Sequence, residues 1–296
     1  METIGQELIR RMRLQGYSAP SFDSITPKQR ADIICKAMNN SDGDMNLVDG
    51  YECEECKNKG IIFFIVEETA PDGAITYRES SRDCRCRKIR SSIRRMKASG
   101  LEATISRCTF DKYEVSEEWQ RTLKDKAVGF ANDVDQLEDK WFFIGGAVGC
   151  GKTHLCTAIV REMLRRGKEA RYMLWMDDSA KLKAMANDEA GRSMLMDPLK
   201  HAEVLYIDDF LKIVRGQSGD ELKPTAADIK LAYEILNYRY QQPDLITIIS
   251  SERHIADIEK IDSAVGSRIY EKTKGNALNV ADGPGRNYRT RDMEVV

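Results

Sequence analysis

The chain has 296 residues, enough for about two domains at roughly 150 residues each. Hydrophobic residues at 42% and charged residues at 32% describe a globular chain and exclude a disordered or collagen-like one. Lys+Arg 46 against Asp+Glu 48 leaves a net charge of −2, so any surface for nucleic acid has to be local.

The N-terminal stretch carries Glu2, Glu7, Arg10 and Arg11 and no apolar core segment, so a secretory signal is not expected. The longest apolar run, Ile61–Val66, is far short of the roughly 18 residues of a membrane helix. A cytoplasmic protein without membrane attachment is therefore expected. The N-terminal third reads as two short helices, a hairpin and a basic helix. Thr26-Pro27 is an N-cap followed by proline at the first helical position. Ala31, Ile34, Cys35 and Met38 then share one face. Ile61–Thr69 and Ala74–Ser80 are β-like runs joined by the turn Pro71-Asp72-Gly73. The Phe63/Phe64 pair reads as core of this hairpin rather than as a stacking platform for bases.

Cys53-x-x-Cys56 and Cys84-x-Cys86 flank the hairpin, so strand pairing brings both pairs to one end of it. Four thiolates there suit tetrahedral Zn²⁺, which would supply folding energy to a domain with a modest core. A redox pair and ordinary free thiols are the alternatives. Cys35, Cys108, Cys150 and Cys156 lack metal-ligand spacing and read as small packing residues. His154, His201 and His254 share no such spacing either. From Arg87 to Ser99 the pattern is helical, with Ile89, Ile93 and Met96 as its apolar stripe and Gly100 as its end. Between Arg85 and Lys97 lie seven basic residues and no acid. This run suits phosphates of DNA or an acidic partner, and equally a solvated helix face. A change of pattern near residue 100 divides the chain into residues 1–100 and 101–296.

The second part alternates short apolar strands with helices, the signature of a parallel sheet covered on both faces. The expected strands are Trp141–Ile144, Ala170–Met176, Val204–Ile207, Leu245–Ser250 and Ala277–Val280. Helical patterns run through Leu155, Ile159 and Met163, and from a Thr225/Asp228 cap through Leu236 to Tyr240. Between the first strand and the helix after it, Gly146-Ala147-Val148-Gly149-Cys150-Gly151-Lys152-Thr153 fits the phosphate-loop pattern. Its glycines Gly146, Gly149 and Gly151 let backbone N–H groups surround phosphate oxygens. Lys152 would reach the β- and γ-phosphates and Thr153 would ligate Mg²⁺, while Cys150 and His154 complete the expected ATP contacts. Val204-Leu205-Tyr206-Ile207-Asp208-Asp209 is an apolar strand ending in acid. Asp208 is expected in the Mg²⁺ shell and Asp209 beside the attacking water.

Together these residues resemble a family. Cys108-Thr109-Phe110-Asp111-Lys112-Tyr113, the phosphate loop, Asp208-Asp209, Ile249-Ser250-Ser251-Glu252, Ser267-Arg268-Ile269 and Asn287-Tyr288-Arg289 are similar to the AAA+ ATPase module of DnaC/DnaI-type replicative helicase loaders, close to IstB-like transposition ATPases. The cysteine-bearing part resembles the N-terminal domain of DnaI-like and phage-encoded loaders. The resemblance implies an α/β AAA+ P-loop NTPase with a parallel sheet, preceded by a small zinc-binding α+β domain that docks on a hexameric DnaB-type helicase. It implies single-stranded DNA as a further partner and self-association through the AAA+ domain. Arg268 resembles an arginine finger acting on a neighbouring subunit. Arg289 resembles a sensor-2 arginine acting on its own nucleotide. Ser251 falls where relatives often carry Asn, and Asp209 where many carry Glu. Both departures shorten the water-positioning groups and imply slow, switch-like hydrolysis. The alternatives are a transposition ATPase that selects target sites on duplex DNA and a non-hydrolysing zinc adaptor.

Overall fold

The structure is a computed structural model that describes residues 25–96, 107–215, 219 and 221–290. Glu2, Glu7, Arg10, Arg11, Lys97, the helix end at Ser99 and Gly100, and the division after residue 100 lie outside these residues. The chain separates into two compact units, one reaching to Arg90 and the other beginning at Ser91.

In the first unit the helix Pro27–Asn40 starts at the expected cap. Thr26 Oγ1 accepts from the Gln29 N–H and Gln29 Oε1 accepts from the Thr26 N–H, at 3.3 and 2.8 Å. This reciprocal pair satisfies donors that the first helical turn leaves free. The helix packs on an antiparallel hairpin, β1 (Ile61–Thr69) and β2 (Ile75–Asp83). Asn39 bonds both backbone groups of Phe63, at 2.8 and 2.9 Å, in the manner of a neighbouring strand. Asp72 accepts from the Ala74 N–H and Gly73 takes φ +83°, which forms the expected turn. β2 runs on to Asp83 rather than stopping at Ser80, because its register pairs Asp83 with Ile61. Backbone pairing, not apolar pattern, sets its end. Phe63 is half-buried and Phe64 exposed, so the pair does not form a core.

The second unit is built on a parallel sheet in the order β4-β5-β8-β3-β9. These strands are β3 (Trp141–Gly146), β4 (Ala170–Leu174), β5 (Val204–Asp208), β8 (Ile246–Ser251) and β9 (Ala277–Val280). Every residue of β3, β5 and β8 is buried, as a sheet covered on both faces requires. Between β5 and β8 lies a small antiparallel pair, β6 (Val214–Arg215) and β7 (Glu221–Leu222). The architecture is the expected α/β P-loop fold, preceded by a small α+β unit.

β4 is shorter than its apolar run suggests. The chain turns into the helix Trp175–Ala184 after Leu174. Asp178 Oδ2 accepts the Leu174 N–H at 3.1 Å and so caps the new helix. Trp175 turns inward, with its ring edge-on to Phe210 at 4.9 Å. No helix among the described residues is long and apolar enough to cross a membrane.

Arg239, fully buried near the end of the helix Ala226–Tyr240, ties three elements together. Its guanidinium donates to the carbonyls of Leu199, Lys200 and Ala202 at 2.8–3.2 Å, to Ile246 O at 2.7 Å and to Thr247 Oγ1 at 2.9 Å. The first three carbonyls close the helix Glu189–His201, whose last turn leaves them without helical partners. Arg239→Met would strip these acceptors of their donor. Urea unfolding should show a loss of about 3 kcal/mol or more, at 1–3 kcal/mol for each buried group left unpaired. Arg239→Lys should recover less than half of it, because one ammonium cannot span the planar fork.

Candidate functional site

β3 delivers the chain to the phosphate loop, and the helix Lys152–Arg165 carries it away. Gly146, Gly149 and Gly151 take φ +102°, +74° and +91°, in the left-handed region that glycine enters without strain. Lys152 is buried, and its ammonium donates to the carbonyls of Gly146 and Ala147 at 2.8 and 2.7 Å. The lysine therefore sits inside the loop it is expected to serve. Cys150 in the loop is a buried thiol, raised above its usual range by burial. Tyr113 donates to the Cys150 carbonyl at 3.2 Å, and its ring lies edge-on to His154 at 5.4 Å. His154 in turn pairs through Nε2 with Thr109 O at 2.8 Å. The segment ahead of the sheet is thereby fastened to the loop.

Asp208 ends β5 with its carboxylate surrounded by donors. Thr153 Oγ1 donates to Oδ1 at 3.2 Å, the Asp209 N–H donates to Oδ1 at 3.1 Å, and Tyr172 donates to Oδ2 at 3.1 Å. Ser250 Oγ also donates to Oδ1. Burial and the Asp208 charge both hold the Tyr172 hydroxyl above its usual pKa, so it remains a donor. Lys152, Thr153, Asp208, Asp209 and Arg289 all line one cavity of about 720 Å³. An ammonium, a hydroxyl and a carboxylate converge there, a set that suits a metal-chelated polyphosphate.

The stretch after β9 closes over the loop. Tyr288 donates its N–H to Gly149 O at 3.0 Å and its hydroxyl to Glu114 Oε1 at 2.8 Å. A β-carbon on Gly149 would lie 1.9 Å from Asn287 Oδ1. Asn287 Oδ1 accepts the Arg289 N–H at 3.0 Å. Trp119, half-buried at the cavity wall, lies under the Arg286 guanidinium at 4.4 Å.

Three expected residues do not line this cavity: Gly146, at the start of the phosphate loop, Ser251 and Arg268. Ser251 is fully buried and does not line the cavity. Its hydroxyl donates to Phe210 O at 2.7 Å and accepts the Arg253 N–H at 3.0 Å. Successive side chains of a strand point to opposite faces, so Ser250, one residue earlier, is the hydroxyl that meets Asp208. Arg268 also lies outside the cavity lining. It donates to Asn237 Oδ1 at 3.1 Å, Ala264 O at 2.8 Å and the Tyr233 hydroxyl at 3.3 Å. Its guanidinium lies 4.9 Å from the Tyr233 ring centre and 5.4 Å from that of Tyr240. Sequence reasoning overlooked Tyr172 and Ser250. The alternation that puts Tyr172 on the same face of β4 as Leu174 was the available signal.

In the first unit the sulfurs of Cys53, Cys56, Cys84 and Cys86 all lie within 4.8 Å of one another. Cys53 to Cys84 is 3.8 Å and Cys56 to Cys86 is 3.4 Å. Zinc–sulfur bonds of about 2.3 Å in a tetrahedron give sulfur–sulfur edges of roughly 3.8 Å, so the set is compatible with zinc. None of the eight cysteines is in a disulfide. Lys57, Asn58 and Gly60 take left-handed backbone after Cys56 and curl the chain around it. Burial opposes ionisation of Cys56. The Gly60 N–H at 3.2 Å and the neighbouring thiols outweigh it and lower the pKa to about 7. Burial pushes Cys86 up to about 11 and raises Cys84 as well. Thiolates this close repel one another, and a dication is what would hold all four ionised. Arg90, fully buried, ion-pairs with Asp49 and donates to Asn58 Oδ1 at 2.8 Å, which anchors the knuckle.

Residues 80–262 match the model of the family described as IstB-like ATP binding protein. The chain is 30% identical over 230 residues to the phage-like element PBSX protein XkdC of Bacillus subtilis (strain 168), covering 75% of this chain and 79% of that protein. It is 26% identical over 284 residues to the protein YqaM of the same strain, covering 82% and 87%. Over 138 residues it is 29% identical to the replicative helicase loader DnaC of Escherichia coli (strain K12), covering 46% of this chain and 55% of DnaC.

The contact between Gly149 and Asn287 can be tested directly. Gly149→Ala should dislodge the stretch around Asn287, since alanine neither accepts φ +74° readily nor clears the Asn287 amide. Tryptic cleavage after Arg286 and Arg289 should quicken about tenfold, with the midpoint of thermal unfolding little changed.

Proposed function

The chain belongs to the IstB-like ATP-binding protein family, and from that membership we propose that it is an ATP-dependent loader of a replicative DnaB-type helicase onto single-stranded DNA. The observation that carries the reading is the convergence of Lys152, Thr153 and Asp208 on one cavity, in a chain that also bears the four-cysteine cluster. Similarity to a protein named as a replicative helicase loader supports the choice of partner. In this reading Lys152 and the loop amides bind the phosphates of ATP. Thr153 and Asp208 hold Mg²⁺, and Arg289 contacts nucleotide in its own subunit. Bound magnesium would neutralise charge that develops on the phosphoryl oxygens. Asp209 orients the attacking water, and hydrolysis is slow because its carboxylate reaches less far than a glutamate.

Arg268 then acts in a neighbouring subunit of the self-associated protein, after leaving the tyrosines that hold it. Cys53, Cys56, Cys84 and Cys86 hold zinc, and the residues before about 100 form the helicase-docking domain of a cytoplasmic protein. A second reading, a transposition ATPase acting on duplex DNA, rests on the likeness to IstB-like ATP-binding proteins. Salt-dependent binding of single strands in preference to duplex would support the loader. A preference for duplex would support the alternative.

Lys152→Ala should weaken ATP binding at least tenfold in equilibrium titration. The purified chain should carry about one zinc by elemental analysis, and Cys56→Ser should lose it together with the protection of hairpin amides from exchange. The full chain should co-purify with the replicative helicase of its source cell in the presence of ATP. Failure of that capture, with ATP binding intact, would remove the loader reading and leave the ATPase one.

A further inference from the structure

Lys212 lines the same cavity as the phosphate loop, and none of the roles above uses it. Its ammonium lies 2.6 Å from Asp209 Oδ2 and 3.7 Å from Glu252 Oε1. The backbone is bent to hold it there. The Lys212 N–H donates to Asp209 O at 3.1 Å, closing a turn in which Asp209 and Leu211 take φ +54° and +47°. Residues other than glycine rarely adopt that conformation, and it persists only where the surroundings enforce it.

The surroundings do enforce it. Phe210 is fully buried against Trp175, donates its N–H to Ser250 O at 2.9 Å and accepts from Ser251 Oγ. Leu211 is buried, and its carbonyl accepts from Arg253 Nε at 2.6 Å. The anchoring hydroxyl is that of Ser251, which explains why this serine faces away from the cavity. A strained turn held from several sides thus fixes one carboxylate and one ammonium face to face at the cavity wall.

We propose that Lys212 senses the terminal phosphate of a bound nucleoside triphosphate, resting on Asp209 and Glu252 without nucleotide and exchanging them for that phosphate when it arrives. The inference rests on the nucleotide-binding reading of the cavity. Lys212 adds to Lys152 a second cation, one that approaches the cavity from outside the phosphate loop. Lys152 is buried among loop carbonyls, whereas the Lys212 side chain is 36% exposed on a flexible stem. A terminal phosphate carries about as much charge as the two carboxylates together, held on one group, and so competes with them for the ammonium. Departure of Lys212 leaves the Asp209 carboxylate free to orient the attacking water. A diphosphate lacks the group that Lys212 would reach and leaves the pair closed. Occupancy by triphosphate and readiness of Asp209 are in this way linked through one side chain.

The test is equilibrium titration of the full chain with Mg·ATP and, separately, Mg·ADP. Lys212→Gln should lower ATP affinity about tenfold and leave ADP affinity within about twofold, and Lys212→Arg should keep most of the preference for ATP. Equal losses for both nucleotides, or no loss for either, would overturn the role of Lys212. Lys152→Ala separates the two levels of argument. If it loses both nucleotides while Lys212→Gln matches the parent, only the sensing role falls. If the parent itself binds neither nucleotide, the nucleotide reading and the sensing role fall together.

Discussion

The carboxylate of Asp208 is the point on which the larger unit converges. Thr153, Ser250 and Tyr172 reach it from the helix after the phosphate loop, from β8 and from β4, and the Asp209 N–H reaches it from the following turn. A carboxylate this buried is tolerable only with its lone pairs occupied. The requirement locks the ends of β4, β5 and β8 into register with the loop. Thr153 and Asp208 are held together before any ligand arrives, and little reorganisation then accompanies binding.

What was legible in the sequence is what depends on local spacing. The phosphate loop, the hairpin and the paired cysteines are patterns a few residues long, and the structure places them as those patterns imply. The remainder depends on which side of an element a residue faces, or on partners distant in the chain. Ser250 and Ser251 are indistinguishable by type, and an offset of one residue exchanges the two faces of a strand. β4 and the helix Trp175–Ala184 share an apolar run, and Asp178, four residues past Leu174, decides where one becomes the other. The pairing of Lys212 with Asp209 hangs on two left-handed residues, neither of them the glycine that would have announced a turn.

The smaller unit solves a different problem. Its hairpin leaves much of both strands exposed, so apolar burial alone supplies little stability. Cross-links between distant parts of the chain make up for this. The cysteines join the approach to β1 with the exit from β2, and the buried Arg90 joins Asp49 to Asn58. Asn39, bonded to both backbone groups of Phe63, closes part of an otherwise open edge.

Trp119 has an optical consequence. The chain has three tryptophans. Trp141 and Trp175 are buried in the larger unit, where their emission is fixed by dry surroundings. Trp119 alone of the three lines the cavity, half-buried beneath Arg286. Indole emission follows the polarity and the charges around the ring. Whatever enters this cavity and moves Arg286 or displaces water from Trp119 therefore changes the colour and yield of one tryptophan against the steady background of two others. The protein thus carries its own fluorescent reporter of occupancy, with no label attached.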